Sequence, residues 1–196
     1  GICSLHPGVD RLTLSCTMTL SPDGAVEDHR IEQTVIRTAE RMTYEDCNKL
    51  LAGGDTALEA RYARILPMLR DMAALAGKLE RARRLRGSLD LETAESAVLC
   101  DEAGRPVEVV RRTQGLSEKL IESFMLAANE CVARHLFELH KPAVYRVHEK
   151  PSADKTEGLR AMLSPLGIDL KEADSFSLQK VLDTVRDKPE APMVSA

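Results

Sequence analysis

The stretch from about Ser117 to His140 constrains this chain more than any other, because its apolar side chains recur at the spacing of one long helix. At about 100° per residue, Leu120, Ile121, Phe124, Met125, Ala128, Cys131, Val132, His135 and Leu136 fill a single arc. Glu118, Glu122 and Asn129 stack in a line along the edge of that arc. A helix patterned in this way must bury one face against other elements. The acidic line at its edge has two readings. It faces a cleft, or it is a solvated border in which Glu118 gains from the positive end of the helix dipole.

Other segments supply the partners for that helix. Arg11 to Leu20 alternates strictly, with Leu12, Leu14, Cys16, Met18 and Leu20 on one side and Arg11, Thr13, Ser15, Thr17 and Thr19 on the other. This is the pattern of a half-buried strand. Ser21-Pro22-Asp23-Gly24 is a turn signal, and a second strand from about Ala25 to Arg37 completes a hairpin. A short helix is expected over about Tyr44 to Ala52, closed by Gly53-Gly54. Thr56 is placed to cap the next helical stretch. Pro67 then gives either a kink or a short helix followed by a long one that ends near Gly87. A second hairpin is expected over about Ala97 to Arg112, turning at Asp101 to Gly104, and a short strand over Ala143 to Val147. Two more helices are expected, about Ser152 to Leu163 and Leu178 to Arg186. The sum is an α+β chain: antiparallel hairpins packed with several helices, two of them long.

Composition narrows the function classes. Hydrophobic residues make up 43% of the 196 and charged residues 30%, so the chain has the means to build a core. Aromatics are only 3%, which leaves that core to Leu, Val, Ile, Ala and Met. A net charge of −4 argues against a nucleic-acid binder if taken as an average. The average conceals a basic window. Arg61 to Arg86 holds eight basic and two acidic residues, a local charge of +6. A polyanion meets the local patch rather than the mean. The run Lys78, Arg81, Arg83, Arg84 and Arg86 at a helix end is either a solvated face or a positive wall for single-stranded RNA.

Five cysteines (Cys3, Cys16, Cys47, Cys100 and Cys131) show no zinc-type spacing. Their odd number without a pattern fits a reducing compartment, and Cys16 and Cys131 read as small core residues. The five histidines have no metal-binding spacing; His135 sits on the apolar helical face, and His148 reads as a structural histidine. No serine or cysteine has the context of a nucleophile elbow. No apolar run approaches the ~20 residues that cross a bilayer. The expected location is the cytoplasm. Gly1 at the start, and Pro192 to Ala196 at the end without a capping signal, lead to the expectation of a piece of a longer protein.

Four strings, in order, carry a family resemblance: CSLHPGVDRL (Cys3 to Leu12), IRTAERMTY (Ile36 to Tyr44), EKLIESFMLAANE (Glu118 to Glu130) and YRVHE (Tyr145 to Glu149). Together they resemble the catalytic domain of the ribonuclease II and ribonuclease R family of exoribonucleases, from about Ile2 to about Leu170. The resemblance implies one partial catalytic domain over residues 1–196. It also implies 3′-to-5′ hydrolysis of single-stranded RNA to nucleoside 5′-monophosphates, with no DNA substrate and a monomeric parent protein. It matches Tyr44 to a tyrosine that contacts RNA near its 3′ end. It matches Glu122 to a glutamate that recognises the ribose 2′-hydroxyl, which DNA lacks. On the residues alone, Tyr44 at a helix start is either a packing residue or an exposed ring that stacks on a base. Arg41, Arg83, Arg84 and Arg86 are the expected phosphate contacts. Leu91 stands where bacterial relatives carry a clamping aromatic, a change that removes part of a stacking energy of ~1–3 kcal/mol per base.

The resemblance implies magnesium held by clustered aspartates. No such run occurs in the chain, nor does the family's serine-proline-isoleucine-arginine-arginine string. No catalytic residue and no metal ligand are therefore expected here, and the fragment alone is expected to be inactive. The rival expectation is a catalytically inactive relative that serves as an RNA-binding or protein-interaction module. A third is a helical interaction domain unrelated to RNA.

Overall fold

The computed structural model describes residues 2–89, 95–112, 114–147 and 149–185. The expected α+β class holds. The chain divides into two compact units, Gly1–Ala82 with Gln114–Tyr145, and Arg83–Thr113 with Arg146–Ala196.

The first unit opens with an antiparallel hairpin of β1 (Asp10–Leu20) and β2 (Val26–Arg37). Thr13 faces Thr34 and Cys16 faces Ile31, with a register shift at Leu20 next to the turn. The strand faces follow the alternation, but the burial does not. Leu12 and Leu14 are 89% and 77% exposed, and Val35 opposite Leu12 is 62% exposed. On the other face Thr13, Ser15 and Thr34 join their hydroxyls at 2.5–3.5 Å. From Cys16 onward the apolar side is the covered one. The expectation of one buried apolar face along the whole strand is thus corrected. The reason is local: the long helix α4 meets the hairpin at Cys16 and His29, in its distal half.

After the hairpin come α1 (Tyr44–Ala52), α2 (Thr56–Arg61) and α3 (Leu66–Leu85). Thr43 caps α1, its hydroxyl accepting from the Asp46 N–H at 3.1 Å. Gly53 ends α1 at φ +76°, a left-handed value suited to glycine. Asp55, not Thr56, caps α2: its carboxylate accepts from the Leu58 N–H at 3.0 Å, and Thr56 becomes the first helical residue. Pro67 falls in the first turn of α3, where its missing N–H costs nothing. Leu50, Tyr62, Leu66 and Leu69 form the core that ties these helices together, flanked by Met42, Cys47, Leu51, Leu58, Ile65 and Met72. The helix α4 (Leu116–Glu138) packs on α1 and on both strands of the hairpin.

The second unit contains the last turn of α3, the hairpin β3 (Glu95–Cys100) and β4 (Pro106–Arg112), and the helices α5 (Ala153–Leu163) and α6 (Ser175–Val185). Gly87 (φ +92°) follows α3, and its positive φ is what calls for glycine there. Ser152 is the N-cap of α5 rather than its first residue. Leu163, Leu170 and Val181 form a small core of their own. Arg160 on α5 donates to the carbonyls of Leu170 and Lys171 at 2.9 and 2.8 Å. The strand expected over Ala143 to Val147 does not form. Val144 is fully exposed, and among the described residues no strand edge pairs with that backbone. A short run of strand-prone residues makes no strand unless it pairs with another.

Candidate nucleic-acid interface

The junction of α1 and α4 is built by an exchange of polar groups. The first amides of any α-helix lack partners inside the helix. At α4 the N-cap position is Gly115, which has no side chain to supply one. Two residues substitute for it. Glu118 reaches back, and its Oε2 accepts from the Gly115 N–H at 3.1 Å. Asn48, from the middle of α1, extends its Oδ1 to the Ser117 N–H at 2.9 Å. The other end of the same amide, Nδ2, donates to Glu118 Oε2 at 3.0 Å. The Ser117 hydroxyl is shared between the Tyr44 carbonyl and Glu118 Oε2, both at 3.1 Å.

This arrangement explains Gly115. Its φ of −86° suits any residue, but a Cβ there would sit 2.3 Å from the Asn48 amide. It also holds the Glu118 carboxyl below the ordinary carboxylate range. The Asn48 amide is the largest cause, partial burial acts against it, and donors at Glu118, Ser117 and Gly115 add to it. Burial, with the charges of Asp46 and Glu118, pushes the neighbouring Cys47 thiol up.

The residues singled out in the sequence distribute as follows. Tyr44 is the first residue of α1 and 45% exposed. Arg41 is exposed in the loop before it, and Glu122 is exposed on α4 one turn beyond Glu118. The acidic line therefore divides: Glu118 is consumed in holding α1, while Glu122 and Asn129 face outward. The buried side of α4 is narrower than its apolar arc. It centres on Ser117, Leu120, Ser123 and Cys131, leaving Ile121 and Met125 exposed at 38% and 56% beside Glu122. Arg83, Arg84 and Arg86 belong to the second unit. Arg83 is half-buried, and its Nε is buried without a hydrogen-bond partner among the described residues; Arg84 and Arg86 are exposed. Leu91 and His148 lie outside the described residues.

Sequence reasoning missed Asn48 and Ser117. The Gly115-x-x-Glu118 spacing is a capping signal that marks Glu118; nothing local marks Asn48, which is 69 residues from Ser117.

Farther along α4, the Cys131 thiol touches the Cys16 thiol at 3.6 Å, and His135 Nδ1 meets His29 Nε2 at 2.9 Å with the rings edge to face. All five cysteines are free. Among the described residues no group of three or more His, Cys, Asp or Glu side chains is placed to hold a metal ion. No described helix is long and apolar enough to cross a membrane. Two open depressions, of about 290 and 440 Å³, lie in the second unit around Ile168–Leu170 and contain none of the candidate RNA-binding residues.

The RNB domain matches this chain over residues 1–196. The chain belongs to the RNB domain family. An RNB relative, Ribonuclease R 1 of Lactococcus lactis, is 43% identical over 189 residues, covering 96% of this chain and 23% of the relative. The chain spans about a quarter of the length of the curated relatives it matches. Among solved structures, Mycoplasma genitalium RNase R in complex with ribose methylated single-stranded RNA shares this RNB fold. Its TM-score is 0.84 at 23% identity, over 99% of this chain and 31% of that one. Yeast Ssd1, a pseudonuclease, shares the fold more distantly, with a TM-score of 0.70 at 18% identity, over 98% of this chain and 23% of that one.

Proposed function

We propose that this chain is part of a 3′-to-5′ exoribonuclease that hydrolyses single-stranded RNA to nucleoside 5′-monophosphates, and that it forms channel wall and ribose-recognition surface. The observation that carries the proposal is the RNB match along the whole chain, with Ribonuclease R among its relatives. Glu122 is the ribose reader in this proposal. Its exposed carboxylate accepts a hydrogen bond from a 2′-hydroxyl, which deoxyribose cannot donate. Tyr44 presents a half-exposed phenol for stacking or for hydrogen bonding to the sugar. Arg41, Arg83, Arg84 and Arg86 supply phosphate contacts in this proposal.

The family resemblance brings magnesium into the proposal. The described residues hold no cluster that fits it, and the proposal assigns its ligands to parts of the protein outside this chain. Cytoplasmic location, a monomeric parent protein and the exclusion of DNA belong to the same proposal.

The test is Glu122→Ala in the full-length protein that carries this chain. RNA and DNA of one sequence are compared in binding and turnover. The RNA-over-DNA preference should fall about tenfold, the worth of one hydrogen bond to a charged group. An unchanged preference removes Glu122 from ribose recognition. The second reading, an inactive relative that binds RNA or protein, draws on the fold shared with a pseudonuclease. An intact aspartate cluster in the flanking sequence overturns it.

A further inference from the structure

Tyr44 and Glu122 are linked by a set of hydrogen-bonded groups: buried Ser117 and the half-buried Asn48 and Glu118. Asn48 stands one helical turn after Tyr44 on α1, and Glu118 one turn before Glu122 on α4. The Asn48 amide joins them, donating to Glu118 and accepting from Ser117, while Ser117 also holds the Tyr44 carbonyl. We infer that Asn48 and Glu118 are positioning residues that set the Tyr44 end of α1 against the Glu122 face of α4, and so determine how well this surface distinguishes RNA from DNA. The inference rests on the proposed ribose-reading role of Glu122 and extends it to two residues that need never touch the nucleic acid.

Three features support the assignment. The amide orientation admits one solution, because the Glu118 carboxylate only accepts and the Ser117 N–H only donates. The clip acts within one helical turn of each proposed reader, from the middle of α1 to the first turn of α4. Gly115 removes the one Cβ that would displace the Asn48 amide, so the backbone itself accommodates the clip. A small error in the setting of α1 would move the phenol relative to Glu122, so a sugar held by the phenol would no longer present its 2′-hydroxyl to the carboxylate, while contacts common to RNA and DNA would persist. Discrimination by a positioned group is sensitive to displacements of about 1 Å.

The experiment uses the full-length protein and four variants: Asn48→Ala, Gly115→Ala, Glu118→Gln and Glu122→Ala. Each is checked for native circular dichroism, and binding of labelled single-stranded RNA and of the same sequence as DNA is measured. Asn48→Ala and Gly115→Ala should lower the RNA-over-DNA ratio about tenfold, with DNA binding little changed. Glu118→Gln keeps a carbonyl at the position of Oε2, accepts the same three donors, and should retain most of the ratio. A purely structural clip would lower the melting temperature of the first two variants and leave the ratio of the folded protein unmoved, which overturns the inference. Gly115→Ala serves the same purpose if Asn48→Ala does not fold, since it displaces the amide without deleting it. If Glu122→Ala lowers the ratio and the clip variants do not, positioning fails and the ribose reading stands. If Glu122→Ala leaves the ratio unchanged, the ribose reading fails and takes this inference with it.

Discussion

The two ends of α4 are fastened by different chemistry. At its N-terminus α4 meets α1 through a carboxylate, an amide and a hydroxyl, each directed at a named partner within 2.9–3.1 Å. Toward its C-terminus it meets the hairpin through two thiols and two imidazoles. The contrast follows from the helix itself. The first turn has backbone N–H groups in want of acceptors, so a polar side chain from elsewhere gains a directional contact there. The middle of the helix has none to offer, and only side chains meet. A cluster of hydrogen bonds on a carboxylate fixes an orientation more firmly than one neutral hydrogen bond beside a pair of polarizable thiols. Tyr44 and Glu122 both lie close to the directional end.

The largest expected effect lies at that end. A double-mutant cycle on Asn48→Ala and Glu118→Ala should return a coupling of about 2 kcal/mol, as for a hydrogen bond to a charged group. Denaturant unfolding of the full-length protein measures it. The contribution also has a pH signature. Glu118 is held below its ordinary value in the folded state. Its stabilisation is therefore present above the ordinary value of 4.5 and is lost as pH falls through the lower folded value. Glu118→Gln should flatten the acid limb of the stability profile relative to the unaltered protein. An equally steep limb would mean that other carboxylates govern it.

How far this contrast is visible without coordinates depends on the reach of each interaction. The long helix, both hairpins and the glycine-closed ends of α1 and α3 are written in local periodicity and turn chemistry, and they form as expected. The cap of α2 is a local competition that Asp55 wins over Thr56 because the carboxylate accepts the Leu58 N–H. Ala143 to Val147 has strand-like residues but, among the described residues, pairs with no strand. Leu12 and Leu14 share a face with Cys16, yet periodicity cannot say that α4 covers only the distal half of that face. For the site, Glu122 and Tyr44 enter through the family resemblance. The clip between them joins residues that are about seventy positions apart, and no window of sequence contains it.

A smaller effect is expected at the hairpin end, and at the opposite extreme of pH. Burial pushes the Cys131 thiol up to about 11, with contact to Cys16 adding to it. A thiol raised above its unfolded value, near 8.5, is neutral in both states below that value and costs nothing. As pH rises toward about 11, the unfolded chain ionises first and the stability of the fold declines. Cys131→Ala should remove this part of the alkaline decline while lowering stability at neutral pH by about 1 kcal/mol for the lost buried group. An alkaline limb of the same slope in both proteins would show that the thiol takes no part in it.

The smallest effect is expected at the imidazole pair. His29 Nε2 and His135 Nδ1 lie 2.9 Å apart, so one nitrogen donates and the other accepts. Both rings are half-buried, and water can replace the partner that a truncation removes. A cycle on His29→Ala and His135→Ala should therefore give a coupling of about 0.5–1 kcal/mol, the range of a neutral hydrogen bond, and less than the Asn48–Glu118 value. The same variants should leave RNA-over-DNA preference unchanged, because the pair fastens the part of α4 away from Glu122. A coupling at His29–His135 equal to that at Asn48–Glu118 would erase the distinction between a directional end and a tolerant one. A loss of discrimination in either histidine variant would move the control of ribose reading from the α1 junction to the hairpin.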